Sequence, residues 1–381
     1  MNETESTINR ALILRIIVKA LALFMLLNLL FALFQPLPLI GKLSVYNWLV
    51  PGRTRLPYGE NPQAYNLSLD NLEAMFASHE IVQPKAANEY RIVFIGDSST
   101  WGILLKPDET LTANINVADL TLDSGQQIRA YNLGHPILAL SKDFLILDHA
   151  LAYEPDMIVW LTTLRSFPRN KQFFPPLVQN NSPAIHRLFK QYQLDYDLSD
   201  PQLADPTFLE QTIIGQRRPL ADWLRLQLYG FVWAATGIDQ FYPDTYDLRS
   251  SDFEVDISWD DYTEPQTLTG DDLAFDIIAA AQERSGRIPV LLVNEPIFIS
   301  DGENSHLRYN FWYPRWAYDN YRDTFAQMAD TNKWHYVDLW DRIAGSEFTD
   351  SPVHLTPEGT SQLADILSEA ILTLANDEAD E

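Results

Sequence analysis

The 381-residue chain reads as an α/β protein: a flavodoxin-like three-layer sandwich with a central parallel sheet of about five strands, a long insert between strands three and four, and an N-terminal transmembrane helix. Three observations predict this. Five short apolar runs, RIVFI (91–95), IRAYNL (128–133), MIVWL (157–161), PVLLV (289–293) and HYVDLW (335–340), are bounded by turn signals and separated by helical patterns. Continuous apolar strands alternating with helices mark a parallel sheet covered on both faces. About 125 residues lie between the third and fourth runs, far more than a compact α/β connection needs. Finally, residues 20–40, ALALFMLLNLLFALFQPLPLI, carry no charge.

That uncharged stretch is long enough to cross a bilayer core, and Arg15 and Lys19 at its N-terminal side favour keeping that end in the cytoplasm. A cleaved signal peptide would need a small-x-small site after the apolar stretch, and LFALFQPLPL offers none. A buried soluble helix would show a polar stripe, and only Asn28 is polar. Residues 1–40 are therefore expected to be a cytoplasmic tip and an uncleaved anchor, with the remainder extracytoplasmic at the cell membrane. The formal charge of −25 falls entirely on that remainder, because Arg10, Arg15 and Lys19 outnumber Glu3 and Glu5 before it. No basic patch is hidden in the average, so a nucleic-acid partner is not expected. The absence of cysteine excludes a disulfide scaffold, a thiolate metal site and a thiol nucleophile. It also suits an exported protein.

Residues 41–89 read as a connector. The stretch is punctuated by Pro51, Gly52, Pro57, Gly59 and Pro62, with one short helix over 71–78. Residues 90–375 form the expected catalytic domain. Helical patterns over 138–153 and 318–331 join strands two to three and four to five. A terminal helix follows Thr356 as N-cap and Pro357, with Leu363, Ile366, Leu367, Ala370, Ile371 and Leu374 on one face. Residues 376–381 read as an acidic tail. The insert, about 165–287, holds an amphipathic segment (219–237) and an acidic, aromatic patch (251–264). It reads either as a cover for one sheet edge or as a lid over the site. The 219–237 segment also suits a membrane surface or an integral-membrane partner.

The first strand runs into GDSSTWG. This places Ser98 at the carboxyl edge of the sheet, where open α/β folds bind ligands. The following helix N-terminus is expected to add N–H donors and a positive dipole beside the hydroxyl. Gly96 permits the tight turn. A serine needs a base and a group to orient it. FTDSPVHLTPEG, after the last strand, supplies His354 and Asp350 at the same sheet edge. Asp350 and His354 lack a third ligand, so no metal is expected there, and no cofactor motif is present: the chain has no GxSxG elbow, P-loop or GxGxxG.

Gly96-Asp97-Ser98, Gly134 after strand two and the Asp350/His354 pair before the terminal helix resemble the blocks of the SGNH (GDSL-type) hydrolases over about residues 90–375, outside the insert. The resemblance implies Ser98 as nucleophile, His354 as general base then acid and Asp350 as its orienting partner, with backbone N–H groups of Ser98 and Gly134 holding the oxyanion. Two features depart from the family. Its oxyanion asparagine after strand three is replaced by LTTLRSF, so Thr163 or Arg165 must substitute, or turnover falls by about 100- to 1000-fold. The usual Asp-x-x-His is also longer by one residue, with Pro352 inside it. Trp101, His135, Arg165 and Asn294 are candidate substrate contacts, with core or structural roles as the alternative for Trp101 and His135.

The expected function is a membrane-anchored serine esterase that removes an acyl group, most plausibly acetyl, from an envelope glycan or lipid. The alternatives are an O-acyltransferase of envelope polysaccharide working beside an integral-membrane acyl donor, and a catalytically silent binding or scaffold protein.

Overall fold

The computed structural model describes residues 10–59, 61–245 and 247–379. Five parallel strands, β1 (Glu89–Ile95), β2 (Gln127–Asn132), β3 (Met157–Thr162), β4 (Val290–Asn294) and β5 (His335–Asp338), form one sheet in the order β2-β1-β3-β4-β5. Each coincides with one of the five apolar runs. Side chains alternate across the sheet, as strand geometry requires. Val93 and Ile95 of β1, Ile158 and Trp160 of β3, and Leu292 of β4 enter one core, whereas Ile92, Phe94, Val159 and Val293 enter the other. The sheet is therefore buried on both faces, and its strands can be apolar throughout.

The N-terminal helix α1 spans Arg10–Phe34 and stands largely exposed. Its Ala11–Phe34 portion, with a mean hydropathy of 2.5, is long and apolar enough to cross a membrane. Residues 1–9, which hold Glu3 and Glu5 of the expected cytoplasmic tip, lie outside the described residues. Three short helices follow: α2 (Leu37–Gly41), α3 (Val45–Leu49) and α4 (Leu72–Ala77). Asn71 caps α4 by accepting from the Ala74 N–H, so the one helix read in the connector lies where expected. The connector is nevertheless part of the core. Tyr46, Leu56, Leu67, Met75, Phe76 and Ile81 are buried with the sheet, and Arg53 and Arg55 are wholly enclosed. Proline and glycine report the absence of regular hydrogen bonding, not the absence of burial.

Helices α5 (Ser98–Trp101), α6 (Leu111–Val117) and α7 (Leu140–Ala150) connect the first three strands. After β3 come α8 (Pro176–Gln179), α9 (Ser182–Gln191), α10 (Arg217–Thr236) and α11 (Phe275–Ser285). Beyond β4 lie α12 (Arg315–Asn332) and α13 (Pro357–Ala379). Leu363, Leu367, Ile371 and Leu374 of α13 share one core with Leu111 and Ile115 of α6. Phe144 and Leu147 of α7, Ile277 and Ile278 of α11, and Tyr321 and Phe325 of α12 fill the other. Thr356 caps α13, its hydroxyl accepting from the Gly359 N–H at 3.0 Å. That helix continues through residue 379, so most of the segment read as an acidic tail is helical.

The insert divides in two. Its first part and its last helix belong to the fold: Phe173, Leu177, Ile185, Phe189 and Leu203 join the core, and α11 is the crossover that returns the chain to β4. Its middle is largely irregular apart from α10, yet Leu226, Trp233, Trp259 and Leu268 also reach the core, and α10 packs by Gly230 against the Tyr46 ring.

Candidate active site

Strand β1 ends one residue before a forced turn. A Cβ on Gly96 would strike the Thr100 hydroxyl and lie 3.0 Å from the Leu161 carbonyl, so only glycine lets the chain pass between α5 and β3. Asp97 then caps α5, its Oδ1 accepting from the Ser99 N–H at 2.8 Å. This fixes Ser98 as the first residue of the helix. The helix is one turn long, so it lacks the macrodipole expected there, and its contribution is the local Ser98 N–H.

The histidine arrives on a closed loop. Phe348 and Leu355 form an antiparallel bridge, and the Thr349 N–H donates to the His354 carbonyl at 2.8 Å. The residue that lengthens the Asp350–His354 spacing is absorbed at the tip, where the Pro352 carbonyl accepts from the Phe298 N–H at 2.7 Å. As a result His354 Nδ1 lies 2.8 Å from Asp350 Oδ1, and His354 Nε2 lies 2.9 Å from Ser98 Oγ. With Nδ1–H donating to the carboxylate, the Nε2 lone pair faces the serine hydroxyl. Burial would raise the Asp350 carboxyl, but the His354 hydrogen bond and charge, with the Thr349 hydroxyl, outweigh it and hold the group below its ordinary value. Ser98 and His354 are each only 9% exposed.

Most of the remaining sequence candidates have their polar groups engaged within the protein. The Gly134 N–H donates to Asn132 Oδ1 at 3.0 Å, so in this state it is engaged within its own loop. A Cβ at that position would lie 2.5 Å from Trp101 N, so the glycine sets the packing of the strand-two loop against α5. The Thr163 hydroxyl is 2.9 Å from Tyr313 Oη and wholly buried. Arg165 is exposed and stacks over Trp312, 4.7 Å from its ring centre. Trp101 is core: its indole N–H donates to the Leu56 carbonyl at 2.8 Å. Asn294 is enclosed, donating to Asp338 Oδ1 and accepting from the Tyr318 and Tyr321 hydroxyls. His135 is buried edge-on to Tyr58, and burial with the nearby Lys142 charge pushes its imidazole down to about 3.

Three further features bear on the site. Lys142 and Asp143 on α7 form a buried pair at 2.6 Å, and Lys142 Nζ also donates to the Gly96 carbonyl at 2.8 Å and the His135 carbonyl at 2.6 Å. One ammonium thus ties the turn before the nucleophile to the loop after strand two. Two adjacent opposite charges inside an apolar helical pattern were the available signal. Glu295, at the end of β4, accepts from the Ser99 hydroxyl, and burial with the neighbouring Asp97 charge raises its carboxyl well above the ordinary range. It lines, with Ser99 and His354, a cavity of about 20 Å³, room for one water. Arg55 of the connector pairs with Asp239, donates to the Gly102 and Leu105 carbonyls, and covers the Trp101 ring. It braces the C-terminal end of α5.

No family model matches the chain, and no curated protein sequence does. Among solved structures the chain is similar to a catalytic mutant of an acetylxylan esterase from Geobacillus stearothermophilus, at 11% identity and a TM-score of 0.37 over 76% of this chain and 96% of that one. It is also similar to a lipolytic protein of the G-D-S-L family from Desulfitobacterium hafniense, at 11% identity and a TM-score of 0.34 over 74% of this chain and 99% of that one. The aryl esterase of M. smegmatis gives 13% and 0.34 over 74% and 99%. The chain is similar to esterases of the SGNH/GDSL type.

Proposed function

We propose that the chain is a membrane-anchored serine esterase. The observation that carries this reading is the continuous hydrogen-bonded series Asp350–His354–Ser98, at 2.8 and 2.9 Å, assembled from loops at opposite ends of the sequence. Ser98 Oγ attacks the ester carbonyl while His354 Nε2 takes its proton, and the carbonyl oxygen becomes an oxyanion held by the Ser98 N–H. The imidazolium, stabilised by Asp350, returns the proton to the departing alcohol, leaving an acyl-Ser98. A water, deprotonated by the same Nε2, then releases the carboxylic acid. The substrate in this reading is an acyl ester, acetyl in the simplest case, on an envelope glycan or lipid outside the membrane that α1 spans. A fluorophosphonate probe tests it. The full-length protein should be labelled at Ser98, and Ser98→Ala should remove both the label and the ester hydrolysis. An unlabelled wild-type protein would discard the enzyme and leave a binding or scaffold role.

One observation favours acyl transfer as a second reading. Ser98 and His354 are nearly closed to solvent, and the adjoining cavity has room for a single water. An alcohol acceptor entering from an envelope polymer would then compete well with water for the acyl-serine, with the donor supplied by an integral-membrane partner. Adding an oligosaccharide to an acetyl-ester donor separates the two: acetylated oligosaccharide marks a transferase, free acetate alone an esterase.

A further inference from the structure

We infer that the domain does not merely hang from its anchor but is seated in the outer leaflet, through the 207–216 loop and the outer face of α10. This rests on reading α1 as a membrane span. Lys19 can reach an interface only by extending its side chain, so its Cα lies within about 6 Å of the inner hydrocarbon boundary. The remaining ~24 Å of a ~30 Å core takes about 16 helical residues, which puts the outer boundary near residue 35. The helix ends there, at Phe34, before Gln35 and Pro36.

Asn28 lies about two turns inside that boundary, about 10 Å beneath it. It is one of two buried residues on the outer half of α1, the other being Ala32 one turn on, and its Oδ1 accepts from the Ile214 N–H at 3.3 Å. The domain therefore meets α1 at hydrocarbon depth. The loop that makes this contact presents an apolar edge to the lipid, with the exposed Glu210 carboxylate the one charge between residues 207 and 216. Phe208, Leu209 and Ile214 project from it exposed, Leu209 at 76%. Three of its backbone N–H groups bond internally: Gln211 to the Thr207 carbonyl, Thr212 to the Leu209 carbonyl and Gln216 to the Thr212 carbonyl. Internal pairing of the backbone is what a medium without water demands.

Helix α10 continues the surface. Its inner face, with Leu226 and Gly230, packs on the domain, while Leu224, Leu228 and Phe231 form an apolar stripe on the opposite side, Leu228 67% exposed. Arg218 and Arg225 border the stripe, and with Arg217 they outnumber Asp222 on the helix. An apolar face edged by arginine, in a chain of net charge −25, is the charge pattern of an interfacial helix facing anionic headgroups. An aqueous docking face for a partner would have no need of the loop's depth.

The chain lacks cysteine, so single labels are unambiguous. Full-length Leu209→Cys, Leu228→Cys, Leu27→Cys and Val117→Cys, each carrying an environment-sensitive fluorophore, are reconstituted in phosphatidylethanolamine–phosphatidylglycerol vesicles containing shallow-doxyl lipid. Labels at 27, 209 and 228 should lose fluorescence to the doxyl group, and the label at 117, exposed at the end of α6, should instead be quenched by aqueous iodide. Quenching at 27 without quenching at 209 and 228 overturns the seat and leaves the anchor. No quenching at 27 overturns the anchor, and the seat with it. Labels at 209 and 228 shielded from iodide in native membranes but not in pure-lipid vesicles would assign the surface to a protein partner and overturn the lipid occupant.

Discussion

Lys142 is a charged residue with no exposed surface, and it holds the carbonyls of Gly96 and His135 close to Ser98. Removing one partner of a buried ion pair strands the other, so Lys142→Met should lower unfolding stability by about 3–5 kcal/mol, read by chemical denaturation. Asp350→Asn tests the orienting role: kcat on an acetyl ester should fall by up to about four orders of magnitude with KM little changed, because an amide facing Nδ1 favours the wrong imidazole tautomer. Equal loss in KM would point to a binding role instead. The Ser98–His354–Asp350 series was legible because serine, histidine and aspartate each follow a strand at one sheet edge. The surroundings of the expected oxyanion donors were not. Whether the Gly134 N–H is free depends on Asn132, and whether Thr163 is free depends on Tyr313, which lies 150 positions away. Such competition between acceptors leaves no local trace in sequence.

The strands, and helices α7, α12 and α13, were readable because continuous apolar runs and three-and-four spacing are direct consequences of which face is buried. Connections were harder to read. The 41–89 segment looked like a linker because its burial comes from isolated side chains, such as Arg55 beneath α5, without periodicity. The amphipathicity of 219–237 was visible, but not which side faced the protein. Gly230 settles that, since a Cβ there would overlap the Tyr46 ring. Gly230→Ala should push α10 away from α3 and cost about 1–3 kcal/mol in thermal or urea unfolding, against the usual helix-stabilising sign of a glycine-to-alanine change. A stabilised variant would mean that the helix is not docked as described.

At the scale of the whole molecule the excess of carboxylates makes pH the revealing variable. Most of the acids are exposed, but Glu295 and Asp143 are enclosed behind the nucleophile. Burial raises both, Asp143 to about 6 despite Lys142 and Glu295 well above its ordinary 4.5. A native state that keeps a proton the unfolded chain releases loses stability as pH rises from the unfolded value to the folded one. Asp350 has the opposite sign, since its lowered carboxyl contributes stability above about 3.8 that is lost only as pH falls through its folded value. The two effects therefore occupy different windows. Self-repulsion of the acidic surface also weakens toward low pH, with the same sign as the Glu295 effect, so the wild-type profile alone cannot separate them. Glu295→Gln can, because it leaves the surface nearly unchanged and replaces the buried acid with a group that keeps an acceptor for the Ser99 hydroxyl. The difference in Tm between variant and wild type should grow in the variant's favour as pH rises from 4.5 to 8. A difference that stays constant over that range would mean that Glu295 is ionised in the folded protein. The carboxylate behind Ser99 would then be a fixed negative charge close to the oxyanion, opposing the ester chemistry proposed for Ser98.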